Sequence, residues 1–240
     1  KMEIIQYNNA NDITIMFENG YITDVYYSNF KKGKVNNPFY PSLLGIGHIG
    51  VGDYKTCINT KETLVYKYWK GMLRRCYDKD YHKKEPTYTN KQVCEEWHNF
   101  QNFAKWFDDN YYECNDGYVM ELDKDLLIKG NNIYSPATCI FVSERINLLF
   151  AKRQNKRGKY PIGVSYHKQA NKFRGYMSIL DNDGKQRQKH LGLFDTPKEA
   201  FECYKIEKEK YIKEVADQYK NKIPKKLYDA MYSYEVEITD

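Results

Sequence analysis

Apolar and polar residues alternate over residues 13–17 and again over 21–25, with Glu18, Asn19 and Gly20 between the two runs. That pattern predicts a β-hairpin closed by a glycine-containing turn. Pro38 and Pro41 end it, so residues 1–42 read as a small β module whose lip carries Lys31, Lys32 and Lys34. Further on, helical spacing replaces alternation. Tyr66, Trp69, Leu73 and Cys76 fall on one helical face, as do Trp97, Phe100, Ala104 and Phe107. These stripes predict two helices packed on one another beneath the segment that follows, with their rings in the core. Gly45, Gly47, Gly50 and Gly52 crowd into the preceding connector, residues 43–65, without matching a dinucleotide or Walker fingerprint. Close backbone approach is the plainer expectation there, and phosphate contact by free N–H groups the sharper one.

Residues 121–150 then run strand, loop, strand, helix. The last third is patterned most clearly, with strands expected at residues 162–166, 172–180 and 189–194 and turns at 168–171 and 181–184. Thr196, Pro197 and Glu199 form a capping-box start to an amphipathic helix that places Ala200, Tyr204, Tyr211 and Val215 along one side. A three-stranded sheet backed by one helix leaves its other face open, and Lys172 and Arg174 or their neighbours, with Arg187 and Lys189, are expected on that face. Residues 224–240 read as a short helix and a closing strand. The expected fold class is modular α+β, divided into residues 1–42, 43–65, 66–153 and 154–240.

Composition adds a charge asymmetry. The net charge is +6, and residues 1–150 hold 18 Lys/Arg against 19 Asp/Glu, whereas residues 151–190 hold 11 against 2. A basic stretch in a balanced chain points to a polyanionic partner, with a solvated surface as the bland alternative. Lys156, Arg157, His167 and His190 lie in this stretch and join the candidate DNA contacts. The 24 tyrosines and a mean hydropathy of −0.82 require cores built on aromatic rings. Six cysteines stand singly with no CxxC pair, which argues against structural zinc. Cys76, Cys94 and Cys139 meeting around a metal is the sharper alternative to small buried packing residues. The lack of a secretory signal or membrane-length apolar run predicts a cytoplasmic protein with reduced thiols and no membrane partner.

Two resemblances follow. Gly163-Val164, Lys172-Phe173-Arg174, His190 through Thr196, Glu199-Ala200 and Tyr204 resemble an AP2-type DNA-binding domain over residues 160–219. The resemblance implies a sheet lying in the major groove of double-stranded DNA. Ile162 stands where that family has arginine, and the strand tryptophan is missing. Residues 66–153 resemble a branch of phage-encoded HNH endonucleases. The likeness rests on Trp69, Met72, Arg75-Cys76, Val93-Cys94, Trp97, Phe100, Leu122 through Asp125, Gly130-Asn131, Tyr134-Ser135-Pro136, Cys139, Glu144 and Asn147. Here Lys124 replaces an arginine, Thr138 replaces an asparagine, and the loop is longer. This resemblance implies a phage or mobile-element origin and divalent-metal hydrolysis of DNA.

The chemistry such cleavage needs assigns expected roles. Asp123 and the Asn147 amide would hold Mg²⁺ or another hard cation. Lys124 would bind the scissile phosphate, or act as base if its environment lowered its pKa. Tyr134 would orient or activate water, and Asn131 or Asn132 would orient the reacting group. The competing expectation is a DNA-binding protein without catalysis, such as a regulator or an inhibitor of a host system.

Overall fold

The computed structural model describes residues 1–151, 159–180 and 185–240. The chain is mixed α+β and divides into two compact units, each treated by itself below. Lys1–Tyr111 and Asn131–Thr138 form the first; Tyr112–Gly130 and Cys139–Asp240 form the second. The expected segment 66–153 contributes residues to both.

The first unit begins with an antiparallel sheet, β1 (Met2–Asn9), β2 (Asp12–Phe17) and β3 (Ile22–Val25), paired in sequence order. The β2–β3 hairpin turns at Gly20, whose φ of 81° suits a residue without a side chain. Ile13 and Ile15 are fully buried, as their period-2 spacing requires. Two helices follow, α1 (Leu64–Tyr77) and α2 (Phe100–Asn110). Thr63 caps α1 by accepting from the Tyr66 N–H, and Asn99 caps α2 by accepting from the Gln101 N–H. The Asn99 cap shortens the second helix relative to the sequence pattern, so Trp97 sits in a 3₁₀ turn before it (Glu95–His98). Trp97 is nonetheless fully buried, with Trp69, Phe100 and Phe103.

The glycine-rich connector lies flat on these helices. A Cβ on Gly47 would come within 2.6 Å of a Leu73 methyl and 2.8 Å of the Trp69 ring. One on Gly50 would meet the Asn99 side chain at 2.1 Å. The backbone is stitched down by His48 N–H donating to the His98 carbonyl and Phe100 N–H donating to the His48 carbonyl, both at 2.9 Å. These glycines permit close packing.

In the second unit, β4 (Met120–Asp123) pairs antiparallel with β5 (Ile140–Ser143), and a short helical stretch follows over Glu144–Asn147. The C-terminal sheet has the order β6 (Val164–His167), β7 (Lys172–Leu180) and β8 (Gln186–Phe194). It is backed by α3 (Pro197–Tyr219), whose capping box joins Thr196 and Glu199 as expected. Val164, Met177, Ala200, Phe201 and Tyr204 form the core between sheet and helix. The first strand starts later than its sequence pattern because Gly163 turns the chain at φ 75°, pressed against the Tyr204 ring.

After α4 (Lys225–Tyr232), no closing strand forms. Val236 instead joins the sheet–helix core, held by its carbonyl accepting from Lys205 Nζ and its N–H donating to Glu209. Two parts of this unit are tied by Asp116, which accepts from Ser143 Oγ at 2.6 Å and from the Tyr219 hydroxyl at 2.7 Å. No helix among the described residues is long and apolar enough to cross a membrane.

Candidate functional site

Strand β7 alternates cleanly. Phe173, Met177 and Ile179 pack toward α3, so Lys172, Arg174, Tyr176 and Ser178 belong to the opposite, open face. Cross-strand partners share a face, and register therefore decides which residues of β8 join them. A bulge changes that register: Gly175 pairs with Gly192, but Tyr176 pairs with His190, leaving Leu191 as the extra residue. Both Leu191 and Phe194 then pack into the core although they are three positions apart.

This bulge overturns part of the expected face. Uninterrupted alternation places Arg187 and Lys189 outward; the one-residue slip sends them toward the helix side. Lys189 pairs with Met177 and extends its Nζ to Glu207 of α3, 2.7 Å away. The Glu207 carboxylate beside it raises the Lys189 pKa, so the lysine stays charged within that pair. Arg187 pairs with Ile179 on the same side. The residues brought onto the open face are His190 opposite Tyr176 and Gln188 opposite Ser178.

Arg174 is the best organised of the open-face cations. Its guanidinium carbon lies 5.0 Å from the centroid of Tyr176, and its Nε donates to Ser165 Oγ at 3.3 Å. The cation–π contact and a single hydrogen bond restrain the group while leaving the terminal nitrogens without a hydrogen bond among the described residues. Lys172 is tethered to Asp195 at 3.1 Å, and His167 accepts the Ala170 N–H at its Nδ1. Lys156 and Arg157 lie outside the described residues.

The second candidate is one face of β4. Met120 and Leu122 are buried, so Glu121 and Asp123 lie together on the other face. Asn147 donates its Nδ2 to Glu121 Oε2 at 2.5 Å. Asp123 Oδ1 accepts from the N–H groups of Asp125 and Leu126 at 2.9 and 2.7 Å, closing a turn. Burial, and then the neighbouring Asp125 charge, push the Asp123 pKa up to about 6 despite those two hydrogen bonds. Glu121 carries no signal in the motif; only its two-residue spacing from Asp123 on a strand marks it. Lys124 points away from solvent, with its side chain 7 % exposed and its Nζ 3.2 Å from Asp125 Oδ1.

Tyr134 and Asn131 belong to the first unit. Tyr134 is buried, and its hydroxyl accepts from Arg75 Nε at 3.1 Å. Burial raises its pKa above the ordinary tyrosine range against the pull of Arg75, a poor state for a base at neutral pH. Asn131 turns back on itself, donating its amide to the Ile133 carbonyl and accepting the Ile133 N–H. Asn132 accepts from Lys91. His98 lies 3.1 Å from the Val93 carbonyl and 3.5 Å from the Tyr77 hydroxyl, which is a packing role. Cys76 and Cys139 are buried and Cys94 is half-buried. No group of three or more His, Cys, Asp or Glu side chains converges as a metal site among the described residues.

No family model matches the chain, and no curated protein or solved structure matches it either.

Proposed function

We propose that this protein binds double-stranded DNA through the open face of the β6–β8 sheet. The observation that carries the reading is Arg174, held over the Tyr176 ring and bonded to Ser165 with its outer nitrogens uncommitted among the described residues. The planar fork of a guanidinium restrained in this way matches phosphate oxygens or the paired acceptors of guanine. Strands spaced by about 4.8 Å make a three-stranded sheet about 10 Å across. The major groove is about 12 Å wide and admits a β-ribbon. Lys172, His167 and His190 flank Arg174, and Gln188 adds an amide able to pair with a base edge. Titrating a labelled duplex across salt tests this: affinity falls linearly on a log–log plot, and Arg174→Ala lowers both affinity and slope. Salt-independent binding, or none, would remove the reading.

A second reading is cleavage of that DNA, favoured by the shared face of Glu121 and Asp123 with the Asn147 amide against Glu121. Carboxylate and amide oxygens suit a hard cation such as Mg²⁺. When bound there, the cation would supply charge neutralisation at the phosphate and the leaving oxygen. Asp123 and Glu121 would hold it, Asp123 in its ionised form above about pH 6. Lys124, buried on Asp125, would position that neighbouring carboxylate and leave the phosphate to other groups. Nicking of supercoiled plasmid by the wild type, lost in Glu121→Gln and Asp123→Asn, is the expected result. No nicking with Mg²⁺ or Mn²⁺, or equal nicking by all three, contradicts it.

A further inference from the structure

A groove of about 1160 Å³ opens beside the β2–β3 turn, bordered by the segment that runs from Gly33 to Gly52. Small-molecule sites occupy roughly 300–1,000 Å³, so this volume suits a stretch of extended polymer better than a compact ligand. Its wall is a chain of rings. Phe17 stacks on Tyr21 at 6.0 Å, Tyr21 meets Phe39 edge-on at 5.5 Å, and Tyr40 follows, 67 % exposed. Hydrogen bonds organise the polar part: Asn37 Nδ2 donates to Asn19 Oδ1 at 3.1 Å, and Asn37 Oδ1 accepts the Phe39 N–H at 2.9 Å.

Lysines adjoin the lining segment in the chain. Lys31, Lys32 and Lys34 are exposed and make no ion pair among the described residues, and they flank the lining residues Gly33 and Val35 in the chain. Glu18 is the one carboxylate among the described lining residues.

We propose that this groove binds a single-stranded segment of nucleic acid. Three requirements of such a ligand are present together. An open tyrosine face stacks on a base whatever its identity, unpaired lysines neutralise the phosphates, and neutral amides meet base edges as donors and acceptors. A duplex keeps its base faces stacked inside and offers Tyr40 nothing. A purely apolar peptide leaves the lysines without a counter-charge. The lining residues all belong to the first unit, and none belongs to the sheet that carries the duplex-binding proposal.

The test uses the full chain and a fluorescently labelled oligothymidylate of about twelve nucleotides, within the range one such groove covers, beside a blunt duplex of equal length. Tyr40→Ala weakens single-strand binding by about tenfold, the loss expected for one stacked base. Tyr40→Phe, which keeps the ring face, binds as the wild type does. Replacing Lys31, Lys32 and Lys34 together by Ala lowers the log–log salt slope by about 2, at about 0.7 per phosphate contact on a single strand. Duplex affinity stays unchanged in Tyr40→Ala, and single-strand affinity stays unchanged in Arg174→Ala. The proposal is overturned if the wild type does not bind the strand or if Tyr40→Ala binds it equally well. It also falls if Tyr40→Ala loses strand and duplex in the same proportion, since the module is then only a charged or peptide-binding surface. Tyr40 is exposed, so its removal leaves the fold intact, and an unchanged circular dichroism spectrum checks that.

Discussion

Both units bury rings, but the second buries charged side chains with them. Around α1 and α2 the fully buried side chains include Trp69, Trp97, Phe100 and Phe103, and Gln101 is the buried polar residue of that unit among those described. Gln101 is satisfied, because it accepts the Tyr54 N–H and donates to the Tyr54 carbonyl, both at 3.0 Å. In the second unit Lys124, Ser143, Lys208 and Asp240 are all buried, and Asp123 is held partly so. Lys124, Ser143 and Asp240 are paired with Asp125, Asp116 and Lys129, so the cost of burial falls on Lys208 and Asp123, whose charged forms desolvation disfavours. The first unit is built as a rigid aromatic frame, and the second keeps groups whose charge state depends on their surroundings.

Substitutions can break or sharpen this contrast. Trp69 packs against Phe100 at 5.5 Å, supports Gly47 and donates its Nε1 to the Trp97 carbonyl at 2.7 Å. Trp69→Ala should lose about 3–5 kcal/mol in denaturant unfolding, the range for emptying an aromatic core position. A loss under 1 kcal/mol would mean the frame is not close-packed.

Lys208 interrupts the apolar stripe of α3, and burial lowers its pKa to about 8. The unfolded chain binds the proton more tightly than the folded one, so stability rises as pH climbs from about 8 toward 10.5. Lys208→Met should therefore stabilise by about 1–3 kcal/mol at pH 7, with the gain shrinking at higher pH. A destabilised Lys208→Met variant would show that the lysine has a partner worth keeping.

Asp123 gives the opposite slope. Its raised pKa means the folded state holds the proton more tightly between about pH 4 and 6, so stability falls through that window. Asp123→Asn, which can still accept the Asp125 and Leu126 N–H groups, should gain about 1–2 kcal/mol at pH 7 and nothing near pH 4. Equal effects at both pH values would remove burial as the cause.

Much of the architecture was legible in the sequence because it is local. The hairpin turn at Gly20, the Trp69 face of α1 and the Thr196–Glu199 capping box all follow from spacing and turn chemistry within a few residues. Long-range effects were not. β1 lacks clean alternation, and its pairing with β2 slips twice, so nothing in its pattern announces a strand. The tail ends without a strand because side chains of α3, Lys205 and Glu209, hold its backbone. Most consequential is the single extra residue Leu191. Sequence spacing finds the strand but not the slip, and the slip exchanges Arg187 and Lys189 for Gln188 and His190 on the open face. At the acidic face, Asp123 and Asn147 were legible as chemistry. Glu121 as the partner of Asn147 required the fold.

Because the bulge separates Arg174 from Lys189, duplex affinity of the two alanine variants, measured side by side, tests the account most directly. Arg174→Ala should weaken binding by about tenfold or more, as expected for losing a fixed guanidinium contact. Lys189→Ala, which loses only its pair with Glu207, should bind within about twofold of the wild type, as expected for a surface ion pair away from the ligand. A larger loss for Lys189→Ala than for Arg174→Ala would contradict both the register and the proposed docking face.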